Sequence, residues 1–224
     1  MNYFLHINTA LENAYVAISQ DDKVIVEYEN SVQKEHGGFL HPAIKAGLAN
    51  CQISISDLAA VSVIAGPGSY TGLRVGLAAA KGICFGAGIP LVDISTTAWM
   101  MASVLQEDAV RFYPVIDARR DEVFTALYDK KGNELLPPFT HIVREGSFSA
   151  ELEKHLTLFF GNGARKCQAI IRNHNALFME KNPAGSKEQA SMTVRRYLDK
   201  NFANLAYSEP LYVKDFYTAA KRKT

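Results

Sequence analysis

The feature that most constrains this chain is the segment from Leu58 to Phe85. Leu58 to Ala65 is a near-continuous apolar run bounded by turn residues, as expected of a strand covered on both faces, and Gly66-Pro67-Gly68 stops it abruptly. A helix is predicted from about Tyr70 to Phe85, and between Leu73 and Phe85 only Arg74 and Lys81 carry charge. Seven residues apart, they share one narrow stripe. Such a helix must be covered on more than one side, one face by its own sheet and another by a further helix of the chain or by a second protein. Gly72, Gly76 and Ala80 recur every four residues and remove side-chain bulk from a single face. That smooth face can serve close packing inside the lobe or the approach of a helix from outside, and the pattern alone does not choose.

The glycine turn has two readings of its own. Free backbone N–H groups at a helix start can hold an anion, with Ser69 or Thr71 capping the helix or touching a phosphate. The spacing matches neither G-x-x-x-x-G-K-[ST] nor G-x-G-x-x-G, and Pro67 stands where a nucleophile elbow needs its first glycine, so a tight structural connection is favoured.

Around this segment the order of elements is that of an α/β chain. Tyr3 to Thr9, Ala14 to Ser19 and Lys23 to Glu29 read as a strand meander turning at Asp21-Asp22. A first helix follows Gly37-Gly38 and ends near Asn50, with Phe39, Leu40, Ala43, Ile44, Gly47 and Leu48 at helical spacing and Pro42 in its first turn. After Gly88-Ile89-Pro90 come a short strand, Leu91 to Asp93, and a helix from Ser95-Thr96-Thr97 to Leu105. A second unit opens near Arg111 and can be laid on the first, with Ile116-Asp117 over Ile7-Asn8, Phe124 over Tyr15 and Ala126-Leu127 over Ala17-Ile18. Two amphipathic hairpins can align this well by chance, but the rest follows the same order: strands Val123 to Tyr128 and Leu135 to Val143, a helix Phe148 to His155, a strand Thr157 to Phe160. A last amphipathic helix is expected from Lys187 to Lys200.

Composition excludes several classes. Of 224 residues 48% are hydrophobic, enough for a sizeable core, and the three cysteines, Cys51, Cys84 and Cys167, form no C-x-x-C pair. No stretch approaches the roughly 20 apolar residues of a membrane span, and the N-terminus lacks the features of a secretory signal, so a cytoplasmic protein is expected. The net charge of +1 does not supply the positive field of a protein that grips nucleic acid by phosphates alone. His36 and His41, five residues apart on a helix, would point about 140° from each other and cannot chelate as an i, i+4 pair does. Both are read as structural, His36 near a surface. Asp117, Arg119, Arg120, Asp121 and Glu122 form a charged hairpin turn, read as solvated and held by local ion pairs.

Four blocks, Gly66 to Lys81 (GPGSYTGLRVGLAAAK), Pro114 to Tyr128 (PVIDARRDEVFTALY), Phe160 to Ala164 (FGNGA) and Glu209 to Val213 (EPLYV), resemble the TsaB (YeaZ) family across nearly the whole chain. The resemblance implies an α/β, RNase H-like fold of the actin, sugar-kinase and Hsp70 type, with duplicated mixed-sheet lobes at 1–107 and 108–224. It also implies a non-catalytic subunit of the machinery that forms threonylcarbamoyladenosine beside the tRNA anticodon. Such a subunit pairs with the catalytic relative TsaD, is served by the ATPase TsaE, reaches tRNA only through the complex, and forms a homodimer when isolated. Its first two helices are the pairing surface, which puts Phe39, Leu40, Ala43, Ile44, Leu73, Leu77, Ala80 and Cys84 against the partner, with Arg74 and Lys81 on the flank. No cofactor is required. Kinase-like relatives place an acid after the first strand, where this chain has Asn8-Thr9, so ATP hydrolysis is not expected and weak ATP or ADP binding is confined to Asn8, Thr9, Asp117 and Gly161-Asn162-Gly163. The enzymatic alternatives, a glycoprotease-like peptidase or an acyl-group kinase of the same fold, would need a metal triad or an acidic phosphate site, and the sequence shows neither.

Overall fold

The computed structural model describes residues 1–32, 35–105 and 107–214. The first lobe is built on a meander of β1 (Tyr3–Asn8), β2 (Ala14–Gln20) and β3 (Lys23–Asn30). The β2–β3 turn puts Asp21 at φ 50°, a left-handed conformation that a short polar side chain tolerates. After α1 (His36–Asn50), β4 (Leu58–Gly66) lies parallel to β1, and after α2 (Tyr70–Ala87), β5 (Leu91–Ser95) lies parallel to β4. The strand order is β3-β2-β1-β4-β5. A short helix, α3 (Thr96–Met101), leads out of the lobe and stops before the expected Leu105.

The second lobe repeats this plan. β6 (Arg111–Asp117), β7 (Glu122–Asp129), β8 (Glu134–Ile142), α4 (Ser149–Leu152), β9 (Thr157–Phe160), α5 (Ala164–Ile170) and β10 (Ala176–Met179) give the order β8-β7-β6-β9-β10, the same arrangement read from the meander outward. The duplication is real, and with it the expected two-lobed, mixed-sheet architecture. The sequence overlay is off by one residue in register: Asn8 pairs with Tyr15, whereas Asp117 pairs with Val123 and Ile116 with Phe124. A one-residue slip exchanges faces. Ile7 therefore packs under α1 and α2, while Ile116 points into the core shared by the lobes.

Three apolar layers result. The shared core joins Phe4, Ala17, Ile64, Ile94, Trp99 and Met100 of the first lobe to Phe112, Ile116, Ala126 and Phe160 of the second. A second layer lies between the first sheet and helices α1 and α2, and a third between the second sheet and α4 and α5.

The expected boundary of the second lobe, 108–224, needs correction. The helix α6 (Ser186–Leu198) crosses back and packs on the first sheet, along β1 to β5. The chain beyond it stays there: Ala203 N donates to Leu91 O at 2.8 Å and Leu211 N to Ala65 O at 2.7 Å. At Val213 and Lys214 it touches the second lobe again, through Thr140 Oγ1, which donates to Val213 O, and an ion pair with Glu122.

Beneath α6 runs a buried polar seam. The two ring nitrogens of His6 each sit 2.8 Å from a serine hydroxyl, Ser62 and Ser19, while Gln189 donates to Ser62 Oγ and accepts from Tyr15 Oη. Every member lies in the interior, where an unpaired group would be costly, so the seam fixes how α6 sits on the sheet. Burial holds His6 down to about 3 from its ordinary 6.5. Folded His6 is thus neutral where the unfolded chain already takes up a proton. Its contribution to stability is complete above pH 6.5 and falls by about 1.4 kcal/mol per unit as pH drops from there toward 3. Urea unfolding from pH 7 to pH 4 should show that slope in the difference between the parent and His6→Gln, which keeps hydrogen-bonding capacity but does not titrate. A pH-independent difference would remove His6 as its cause.

Candidate docking face and interlobe cleft

The helix α2 is started by Ser69, whose Oγ accepts from Gly72 N at 3.3 Å, and ended by Gly88 at φ 66°. Its smooth face is turned inward, onto the end of β1. A β-carbon at Gly72 would lie 2.0 Å from Thr9 O, one at Gly76 2.3 Å from Thr9 Oγ1, and one at Gly68 2.2 Å from Ala10 O. Thr9 Oγ1 donates to Gly72 O at 2.7 Å and Ser69 N to Ala10 O at 2.7 Å. Gly66, at φ 121°, is closed from the other side by the carbonyl of Leu211. The glycine turn is therefore a packing joint between two backbones, as the structural reading of its spacing had it.

This corrects most of the expected pairing surface. Leu40, Ala43, Ile44, Leu73, Leu77, Ala80 and Cys84 are all buried within the chain itself, Leu77 at 4% exposure, because they are the bulky and small residues that seat α1 and α2 on the first sheet. Of the expected set, Phe39 is half-buried, Arg74 is exposed, and Lys81 is half-buried with its Nζ on the carbonyls of Ser208 and Ala206 at 2.9 and 3.4 Å.

What α2 leaves uncovered is a different stripe. Val75, Ala78, Ala79, Gly82, Ile83 and Gly86 line an apolar groove of about 860 Å³, closed at its sides by His41, Ile55 and Ser56, and the Phe85 ring beside it is 82% exposed. Ala78, Gly82 and Gly86 repeat the every-four spacing of Gly72, Gly76 and Ala80. The signal that separates the two stripes is the company they keep: Leu73, Leu77 and Cys84 adjoin the inner one, whereas Arg74 and Phe85 adjoin the outer.

The cleft between the lobes, about 560 Å³, is lined by Glu12, Ser69, Tyr70, Thr71, Asp117, Arg119 and Asn162 among others. Of the expected nucleotide-binding residues it exposes Asp117 and Asn162 alone. Asn8 and Thr9 are buried and hold local backbone, Asn8 Oδ1 accepting from Ala10 N. Gly161 and Gly163 are buried against Val115, where a β-carbon would come within 2.6 Å and 2.8 Å of its atoms. Lys166 Nζ binds Asp117 Oδ1 at 2.8 Å, so this carboxylate already has a cation. The charged hairpin is not held by local ion pairs: Lys166 and Lys214 reach it from far along the chain, while within the turn Asp117 Oδ1 accepts from Arg119 N at 2.6 Å and Arg119 and Arg120 stand at φ 68° and 48°. His36 is buried rather than near a surface, with Nε2 3.2 Å from Leu11 O, while His41 is exposed at the groove. Among the described residues no group of three or more His, Cys, Asp or Glu could hold a metal ion, and no helix is long and apolar enough to cross a membrane.

The two glycine stripes make opposite predictions. Gly72→Ala should lower stability by about 3 kcal/mol, because its methyl group meets backbone that cannot move aside. Gly82→Ala faces open space and should raise stability by about 0.5–1 kcal/mol through helix propensity. Chemical denaturation of both variants checks the assignment of faces.

The comparisons with known proteins agree with this architecture. Residues 24–181 match the model of the family described as TsaD, tRNA N6-adenosine threonylcarbamoyltransferase. The tRNA threonylcarbamoyladenosine biosynthesis protein TsaB of Bacillus subtilis (strain 168) is 34% identical over 131 residues, 58% of this chain and 57% of that protein. TsaB of Escherichia coli (strain K12) is 34% identical over 130 residues, so the match spans little more than half the length of either relative. TsaB of Haemophilus influenzae is 29% identical over 212 residues, 84% of each chain. Among solved structures, YeaZ from Pseudomonas aeruginosa superposes with a TM-score of 0.77 at 20% identity, covering 95% of this chain and all of that one, which shows a shared fold. A family model that spans well over half of the chain, together with relatives that carry one name, shows that this chain belongs to the threonylcarbamoyltransferase family described as TsaD, alongside the proteins called TsaB.

Proposed function

We propose that this chain is a non-catalytic docking subunit in the formation of threonylcarbamoyladenosine on tRNA, and that its partner is the catalytic relative TsaD. The observation that carries the reading is the uncovered apolar groove of α2, bordered by α1, on a chain of this family. A concave apolar face lined by alanine and glycine lets a partner helix come close, and the exposed Phe85 ring beside it is the kind of large anchor that dominates interface energy. The groove is small beside the roughly 800 Å² per partner that a stable complex buries, so the rims of α1 and α2 belong to the contact as well.

In this reading tRNA is reached through the complex, the TsaE ATPase acts on the assembled pair, and the whole works in the cytoplasm without a cofactor resident in this subunit. Any nucleotide contact in the cleft is weak and rests on the Asp117 and Asn162 side, since Asn8, Thr9, Gly161 and Gly163 do not line it. In the absence of its partner the same face is covered by a second copy, giving a homodimer.

Neighbouring residues of α2 test the proposal. Ala78→Glu puts a charge in the groove and should abolish a one-to-one complex with the cognate TsaD in light scattering, with the melting temperature unchanged. Leu77→Glu, one position along, buries a carboxylate in the core and should cost at least about 3 kcal/mol of stability. An Ala78→Glu protein that pairs as the parent does would move the docking surface elsewhere.

A further inference from the structure

Arg74 and Lys81 occupy one stripe of α2, yet the structure uses them differently. Lys81 is bound to two carbonyls of the returning C-terminal segment. Among the described residues Arg74 makes one hydrogen bond, from Nε to Tyr212 Oη at 2.9 Å, and its guanidinium lies 4.2 Å from the centre of the Tyr70 ring. The rings of Tyr70 and Tyr212 stack on each other with centres 5.0 Å apart. The ion pairs among the described residues engage Arg111, Lys166, Arg196 and Lys214, and Nη1 and Nη2 of Arg74 have no partner there. An exposed arginine is ordinarily a mobile chain. This one is held at Nε and over its face, with the outer edge of the fork unengaged among the described residues, so much of the ordering cost of binding is already met.

The position of that fork matters. Residues 74, 78, 82 and 85 follow one another at helical spacing, which puts the Arg74 position next to Ala78 at the edge of the groove, with its side chain lying over Tyr70 and beside Tyr212, neither of which lines the groove.

We propose that Arg74 is the ionic anchor of the docking face, receiving a carboxylate of the partner protein in a two-bonded pair, and that Tyr70 and Tyr212 are its positioning residues. The inference rests on the docking reading above and adds the chemistry the partner must present. A planar fork at the edge of an apolar contact suits one planar carboxylate, where partial removal of water strengthens the pair and fixes register. An RNA strand would instead ask for a row of cations along this rim, and next along the stripe Lys81 is already bound to backbone carbonyls. The C-terminal segment gains a role: Leu211 on Ala65 and Lys214 on Glu122 hold Tyr212 where it can fix the fork.

The test is the affinity of the full-length chain for its cognate TsaD by calorimetry, at about 50 mM and about 300 mM salt, for the parent and for Arg74→Ala, Arg74→Lys, Tyr212→Phe and Ala78→Glu. Arg74→Ala should weaken binding about tenfold or more at low salt and flatten its salt dependence, with Arg74→Lys recovering little because it lacks the fork. Tyr212→Phe keeps the stack and removes the acceptor, so it should fall between the two with its melting temperature unchanged. Parent-like affinity and salt dependence in Arg74→Ala, while Ala78→Glu fails to bind, would overturn the anchor and leave the docking face standing. Parent-like binding by Ala78→Glu as well would overturn the docking face itself. Normal pairing by Arg74→Ala combined with weaker binding of tRNA would assign the fork to RNA and overturn the carboxylate.

Discussion

The approach of α2 to the end of β1 is the contact on which the rest of the first lobe depends. Backbone comes against backbone there, with Gly72 and Gly76 resting on Thr9 and the Thr9 hydroxyl tied to the Gly72 carbonyl. Helix and strand end meet through bare backbone and the short Thr9 side chain, so the distance and rotation of the helix are set by hard contact rather than by adaptable packing. Once that rotation is fixed, Leu77, Ala80 and Cys84 must point into the sheet, and Ala78, Gly82 and Gly86 must point out. The same contact therefore makes the glycine turn a packing joint and opens the outer groove.

The duplication is used unequally. Both lobes carry the same strand order, yet α1 and α2 run 15 and 18 residues while their counterparts α4 and α5 run 4 and 7. A helix of one or two turns cannot present a continuous face to another protein, so among the described residues a broad helical surface exists on the first lobe only. Two stacked layers of the second lobe, with Tyr113, Phe148 and Phe159 in mutual ring contact, read as structural support. The cleft between lobes has likewise lost symmetry, for a neutral, buried Asn8 stands where the second lobe has Asp117 paired with Lys166.

Local patterns were legible where they were long. The apolar run of β4, the nearly uncharged α2 and the opening meander follow from periodicity and turn residues, and each falls within a residue or two of its expected ends. The short α5 and β10 carry too few residues for a period to register, and both escaped notice. Choices between equivalent faces were not legible. Two stripes of small residues, six positions apart on α2, look alike until one knows which side Thr9 occupies. The destination of α6 was hidden for a related reason: its amphipathic pattern says that it packs, while its partners, His6, Ser62 and Tyr15, lie more than 120 residues earlier. The left-handed turn at Arg119 and Arg120 also defies its residue types, which ordinarily avoid that conformation.

The return of α6 to the first sheet bears on how the protein emerges from the ribosome. Until residues 186–198 are made, Phe4 and Tyr15 lack the Tyr197 ring and the Gln189 amide that meet them in the finished fold, although every strand of their own sheet has long been available. The first sheet thus waits, part of its apolar face uncovered, until the second lobe and then α6 have been translated. The first lobe therefore cannot be finished before the second has been made, because one of its covering helices follows the second lobe in the chain.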